Sequence, residues 1–102
     1  MSVSYPYDTK ALAALHDEDR WGTIPYRTLD SRQLKPTQPA VVINRIIELA
    51  NGAEPETGDR HLHVVAHHGA LHIHDGHHRW LIANIYGDPV TARVVNENGH
   101  AV

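Results

Sequence analysis

Five consecutive residues, Asp75-Gly76-His77-His78-Arg79, bring together a carboxylate, a glycine, two imidazoles and a permanent cation, a set able to hold an anion or move a proton. Asp75-Gly76 is the pair best suited to a tight turn, and Leu71-His72-Ile73-His74 ahead of it alternates as a strand does. From His77 to Tyr86 the apolar residues Leu81, Ile82 and Ile85 fall on one helical face, Gly87 supplies a left-handed stop, and Asp88-Pro89 prevents continuation. A strand, a glycine turn and a helix start place first-turn amides where no intrahelical acceptor reaches them, which is how helices bind phosphate. Arg79 lies in that turn, where a cation opposes the helix dipole unless something negative sits beside it. The alternative for Arg79 is an ordinary ion pair, with Asp75 the nearest partner in sequence. Asp75 itself reads either as a magnesium ligand next to phosphate or as the residue that shapes the turn. His77 and His78 either donate to the anion or, for His78 near the apolar face, fill a structural position.

Ten histidines are present, eight of them between His61 and His78, and phenylalanine is absent. His61 and His63 alternate along one expected strand, and His72 and His74 along the next, so up to four imidazoles share one face of a hairpin turned at His67-His68-Gly69-Ala70. Converging neutral imidazoles bind zinc or copper. No cysteine or carboxylate stands at a recognised ligand spacing, however, and the reading favoured by the sequence is the solvated face of a half-buried sheet.

The elements that must position these groups follow from periodicity. At 102 residues and 41% hydrophobic content the chain builds one core and one domain. Met1–Tyr7 reads as a loose arm, Asp8 as a cap, and Lys10–Asp17 as a helix. Trp21–Tyr26 has strand-favouring residues interrupted by Gly22 and Pro25, as a short or edge strand would. Thr28–Leu34 suits a turn or a single helical turn. Thr37 is an N-cap candidate with Pro39 in the first turn, and Val42, Ile43, Ile46, Ile47, Leu49 and Ala50 form a wide apolar face of a second helix. Asn51-Gly52 ends it, and the turn-rich Ala53–Arg60 follows. Trp80 falls away from the apolar face of its helix, so it either packs on a neighbour or marks a contact surface for a protein partner or a second copy. Val90–Val95 reads as a strand. The expected organisation is an arm and helix over residues 1–20, the main unit over 21–95 and a flexible tail over 96–102. The fold class is α+β, with a small mixed sheet and flanking helices.

Zero cysteines exclude disulfides, thiolate metal sites and a cysteine nucleophile, and fit a reducing compartment. MSVSYPYDTK lacks a basic segment followed by an apolar stretch, and no run approaches the roughly 18 apolar residues of a membrane span, so cytoplasm is the expected location. A formal charge of -3 disfavours broad attraction to nucleic acid or anionic lipid.

Ile24-Pro25-Tyr26, then Leu34-Lys35-Pro36-Thr37-Gln38, an amphipathic helix, a hairpin, Asp75-Gly76-His77-His78-Arg79-Trp80-Leu81-Ile82-Ala83 and Gly87 resemble the ParB/sulfiredoxin superfamily, in the group of ParB-like nuclease domains. The resemblance covers roughly Trp21 to Val95 and implies a nucleotide site: CTP in partitioning proteins, ATP in sulfiredoxins, ADP in free serine kinases. It places Gly76, His77, His78 and Arg79 at phosphate, with Asp75, Thr37 and Gln38 facing the same cleft, and magnesium as the accompanying ion. In catalysis it implicates Asp75, His77 and His78. Sulfiredoxin chemistry requires a cysteine before the histidine-arginine pair, and this chain has Gly76-His77 there. Partitioning proteins continue into a DNA-reading helix-turn-helix, whereas this chain ends soon after Val95, so centromere binding is not expected. The serine-kinase branch uses an acidic base near the start of the preceding helix, where Gln38 and Pro39 stand; Glu54 or Glu56 are the substitutes. A domain this short also resembles small phage-encoded members. The implied function is nucleotide binding, with or without phosphoryl transfer or hydrolysis. The alternatives are a DNA-binding or metal-dependent nuclease protein and a non-catalytic protein-interaction module.

Overall fold

The computed structural model describes residues 5–37 and 61–102. The expected second helix, the loop after it and Gln38 therefore lie outside the described residues. The described chain is α+β, with one mixed sheet flanked by helices. Helix α1, Lys10–Asp17, is followed by strands β1, Tyr26–Asp30, and β2, Leu34–Pro36. Strands β3, Leu62–His67, and β4, Ala70–Asp75, lead to helix α2, His77–Tyr86, and strand β5, Pro89–Asn96. The sheet order is β1-β5-β3-β4-β2. β1/β5 and β3/β4 pair antiparallel, while β3/β5 and β2/β4 pair parallel.

β3 sits at the centre, and its residues are apolar enough to be covered on both faces. Leu62 and Val64 join Leu34, Ile73, Ala92 and Val94 in a core on one side, with Trp80 and Ala83 of α2 packed against it. On the other side Val65 and Val95 meet Tyr7, Leu12, Leu15, Trp21 and Ile24. The hairpin from β3 to β4 turns at His68 and Gly69, whose φ values of 49° and 77° make the doubly left-handed turn that matches strand twist.

α1 has the bounds the sequence predicts. Asp8 Oδ1 accepts the Lys10 N–H at 3.0 Å, and Leu12 and Leu15, three residues apart, are the buried pair. Where a strand is expected at Trp21–Tyr26, the chain instead makes a 3₁₀ turn, Arg20–Thr23, after left-handed Asp19. That turn puts Trp21 into the core at 3% exposure, and the strand begins later, at Tyr26. A second 3₁₀ turn, Ser31–Gln33, is opened by Asp30, whose Oδ1 accepts the Arg32 N–H at 3.0 Å. It delivers the chain to β2.

Two further expectations differ from the structure. The face of α2 on the sheet core carries His77, Trp80 and Ala83; Leu81 and Ile82 of the expected stripe are half-buried, Ile85 is 62% exposed, and the Trp80 indole N–H donates to Ser31 O at 2.7 Å. Three-residue spacing through His77, Trp80 and Ala83 competes with the Leu81/Ile82/Ile85 stripe, and the large Trp80 surface with its satisfied N–H wins. After β5 the chain turns back where the sequence suggests a fraying tail: Asn96 Oδ1 accepts the N–H of Asn98 and His100, and Val102 N–H reaches Val94 O at 3.2 Å. Among the described residues, no helix is long and apolar enough to cross a membrane.

The phase of α2 and the core beneath it are tested by a pair of truncations. Ile73→Ala, at a fully buried position, is expected to cost about 2–5 kcal/mol in urea denaturation, and Ile85→Ala within about 0.5 kcal/mol of wild type. Comparable losses for the two would reject this placement of the helix.

Candidate functional site

The corner between β4 and α2 is made by one residue. Gly76 is the N-cap of α2 with φ 98°, and a Cβ there would lie 3.1 Å from Leu62 Cγ. Both facts demand glycine: the left-handed conformation disfavours any side chain, and Leu62 fills the space one would need. Asp75 Oδ1 accepts the Gly76 N–H at 3.0 Å, so the carboxylate shapes the turn. The amides of His77, His78 and Arg79 come before i→i−4 bonding begins, Trp80 N–H being the first to reach back, to Gly76 O at 3.0 Å. Arg79 is half-exposed on this first turn.

His77 points inward. It is 4% exposed, and its Nε2 accepts the Thr37 N–H at 3.0 Å. The Thr37 hydroxyl lies 3.2 Å from the same nitrogen and donates to Ile73 O at 2.6 Å. An Nε2 that accepts carries no proton, which assigns the neutral ring its proton on Nδ1. Burial holds the His77 pKa below its ordinary value; Asp75 pulls it back up, and His78 pushes it further down. The imidazole is therefore neutral at pH 7 and latches the start of α2 to the end of β2. Acid opposes this latch, because a proton on Nε2 would face the Thr37 N–H donor.

The sequence places Thr37, Asp75, Gly76, His77, His78 and Arg79 around one cleft, and the structure joins Thr37 directly to His77. Asp75, Gly76, His78 and Arg79 are adjacent to that contact through the chain itself. The roles of Thr37 and His77 change, however: with its Nε2 engaged by Thr37, the His77 ring positions the helix, and Thr37 spends both its donors inside the protein. Gln38 lies outside the described residues.

Asp75 also lines a second cleft, of about 530 Å³, with His16, Asp19, Trp21, His63 and Arg93. Its Oδ2 stands 4.0 Å from His63 Nδ1. Sequence reading missed this cleft, because α1 and the 3₁₀ turn had no predicted docking face; the one available signal was Trp21, too large to be left in water. The histidine face also differs from the solvated one expected. His63, His72 and His74 share a face, but α1 and the arm cover it: His63 is 6% exposed and stacks on Trp21 with centroids 4.1 Å apart. His61 lies apart from them, stacked on Tyr26 at 3.8 Å and 2.8 Å from Thr91 Oγ1 through Nδ1. Among the described residues, no three His, Asp or Glu side chains converge as metal ligands would.

A family model for VapB-like antitoxins matches residues 2–98. The chain belongs to the VapB-like antitoxin family. Its fold is nevertheless the one expected from the ParB/sulfiredoxin resemblance. Sulfiredoxin from Arabidopsis thaliana is similar at a TM-score of 0.54, with 13% identity over 71% of this chain and 85% of that one. A free serine kinase mutant in complex with AMP is similar at the same TM-score, with 20% identity over 71% of this chain. The match spans 31% of that kinase's length. At these identities the likeness is one of fold. No curated protein sequence matches. The family match is to VapB-like antitoxins, where the sequence resemblance named the ParB-like nuclease group.

In this antitoxin-family chain the Gly76 corner is the most constrained point of the candidate site. Gly76→Ala is expected to cost about 1–3 kcal/mol through the left-handed backbone and the Leu62 contact together, and Gly69→Ala less, since nothing stands within 4 Å of a Cβ at Gly69. Thermal unfolding of the two variants compares them, and a Gly76→Ala variant as stable as wild type would refute the corner's role.

Proposed function

We propose that this VapB-like antitoxin-family protein binds the phosphate of a nucleotide at the start of α2. The observation that carries the reading is the Gly76 corner: a glycine fixed against Leu62 presents the first-turn amides of a ten-residue helix, with Arg79 among them. Helix dipole, amides and guanidinium then act on the same anion. The neutral, Thr37-bound His77 keeps this turn in place, and the largely exposed Asp75 carboxylate would share a magnesium ion with the phosphate. Fold relatives support the reading, since one of them was solved with AMP. ATP, ADP and CTP are the ligands to compare, and phosphoryl transfer or hydrolysis would draw on Asp75 and His78. With no cysteine in the chain, sulfiredoxin-type chemistry has no nucleophile. The net charge of -3 counts against a DNA-binding or nuclease reading. The cytoplasm, where nucleotides are abundant, is the proposed location.

The family match favours a second reading, that the chain works by holding a protein partner, as the word antitoxin implies. Trp80 is not the contact surface for it, being packed on the core. Ile85 and Tyr86, 62% and 67% exposed at the end of α2, form the apolar surface available to such a partner. The two readings are compatible, because they use opposite ends of one helix.

Isothermal titration with ATP, ADP, CTP and inorganic phosphate, with and without magnesium, tests the first reading. Arg79→Ala is expected to weaken binding roughly tenfold or more, since a charge-assisted hydrogen bond is worth about 1.5–3 kcal/mol. Lysine at this position should restore only part of the affinity, because a point charge does not reproduce the planar fork. A folded wild type that binds none of these ligands at millimolar concentration, or an alanine variant that binds equally well, rejects the phosphate site and leaves the partner-binding reading in front.

A further inference from the structure

On the face of the sheet away from α2, imidazoles touch one another. The His16 ring lies 5.7 Å from that of His74 and 5.8 Å from that of His63, centroid to centroid. Tyr7 places its hydroxyl 3.2 Å from His74 Nδ1 and its ring 5.9 Å from those of His67 and His72. Tyr5 lies on His74 at 5.0 Å. Tyr5, Tyr7 and His16 belong to the N-terminal segment, whereas His63, His67, His72 and His74 belong to β3 and β4. The polar part of the contact between this segment and the sheet therefore runs through rings that titrate, and the apolar part through Leu12 and Leu15 over Val65 and Val95.

We propose that this layer is an acid-sensitive clasp: protonation of the imidazoles packed between the N-terminal segment and the sheet, His74 foremost, releases residues 5–17 from a sheet that stays folded. Each imidazolium raises the cost of charging the next. Around His74 stand His16 from α1, His63 from β3, Tyr7 from the arm and His77 from α2; among the described residues Asp75 supplies the negative charge, on a side chain 71% exposed. In the adjoining cleft Asp19 and Arg93 carry opposite charges. Around His72, both His67 and Lys35 oppose a proton, while Glu97 lies on the far side of His67. The Tyr7 hydroxyl, whose pKa burial raises, remains a donor that needs an unprotonated His74 Nδ1 to accept it.

Burial first, and His16 next, push the His74 pKa down to about 4 in the closed state, and burial lowers that of His72 as well. Once the segment has left, the rings return to the ordinary value of about 6.5. The open state thus binds more protons between these limits. Closure is fully favoured above about pH 6.5, and each pH unit lost below that shifts the balance toward release by about tenfold per proton taken up.

Hydrogen exchange followed residue by residue by NMR from pH 7.5 to 4.5, corrected for intrinsic rates, is the test. The amides of Ala13 to His16 are expected to lose protection near pH 5 while those of Val64 and Val65 keep theirs. His74→Phe retains a ring and removes the proton, so release should move at least half a pH unit lower; His100→Gln, at an exposed position, should leave the midpoint in place. Loss of α1 and β3 protection at one shared midpoint, or α1 still protected at pH 4.5, would overturn the clasp. So would release of the His74→Phe variant at the wild-type pH, or an equal shift in His100→Gln. Should His74→Phe not fold, titration of the wild-type His74 ring decides: a midpoint well below 6.5 that coincides with release supports the clasp, and one at or above 6.5 refutes it.

Discussion

The turn from sheet to helix at Gly76 is the constraint on which the rest of the structure depends. β4 ends at Asp75 and α2 begins at His77, so one residue must reverse the chain, and it does so at φ 98° against the Leu62 side chain. A helix that starts this close to the sheet has no freedom in where its first residue points. His77 is driven inward, and it meets Thr37 because β2 runs parallel to β4 and ends beside it. The Thr37 hydroxyl then closes onto Ile73 O of β4 itself. Turn, strand edge and helix start thus fix one another.

Much of this was legible in the sequence, and the parts that were not share a cause. The bounds of α1 and α2 and the β3–β4 hairpin follow from local signals: Asp8 ahead of Lys10, Gly87 after Tyr86, a His68-Gly69 pair that takes a doubly left-handed turn. Gly76 as the turn from strand to helix was legible for the same reason. The phase of α2 was not, because Leu81, Ile82 and Ile85 form a good stripe in isolation, and only the position of Ser31 O makes burying Trp80 the better choice. The second face of the sheet was equally hidden. Alternating histidines look solvated until a separate element, α1, is known to lie over them. The parallel pairing of β2 with β4 joins residues distant in sequence, and no periodicity in Leu34-Lys35-Pro36 announces it. The surest-looking helix of the sequence, with Ile46 at the middle of its apolar face, falls outside the described residues.

Fold and family point in complementary directions. The fold is similar to that of a sulfiredoxin and of a kinase solved with AMP, whereas the family is one of antitoxins. Cysteine chemistry is a matter of one side chain, and this chain has none.

Asp75 is where the two sides of the sheet meet. One carboxylate oxygen accepts the Gly76 N–H and so belongs to the start of α2; the other faces His63, which stacks on Trp21 beneath α1. A proton on His63 would attract that carboxylate toward the α1 side, and the proposed anion at the first turn of α2 would repel it in the same direction. The charge of the proposed ligand on one face and imidazole charge on the other would therefore act on the same residue with the same sign. An exposed carboxylate is partly screened, so the coupling is modest at physiological salt and larger at low ionic strength. The side chain that shapes the turn is thus also the carboxylate that faces His63 beneath α1.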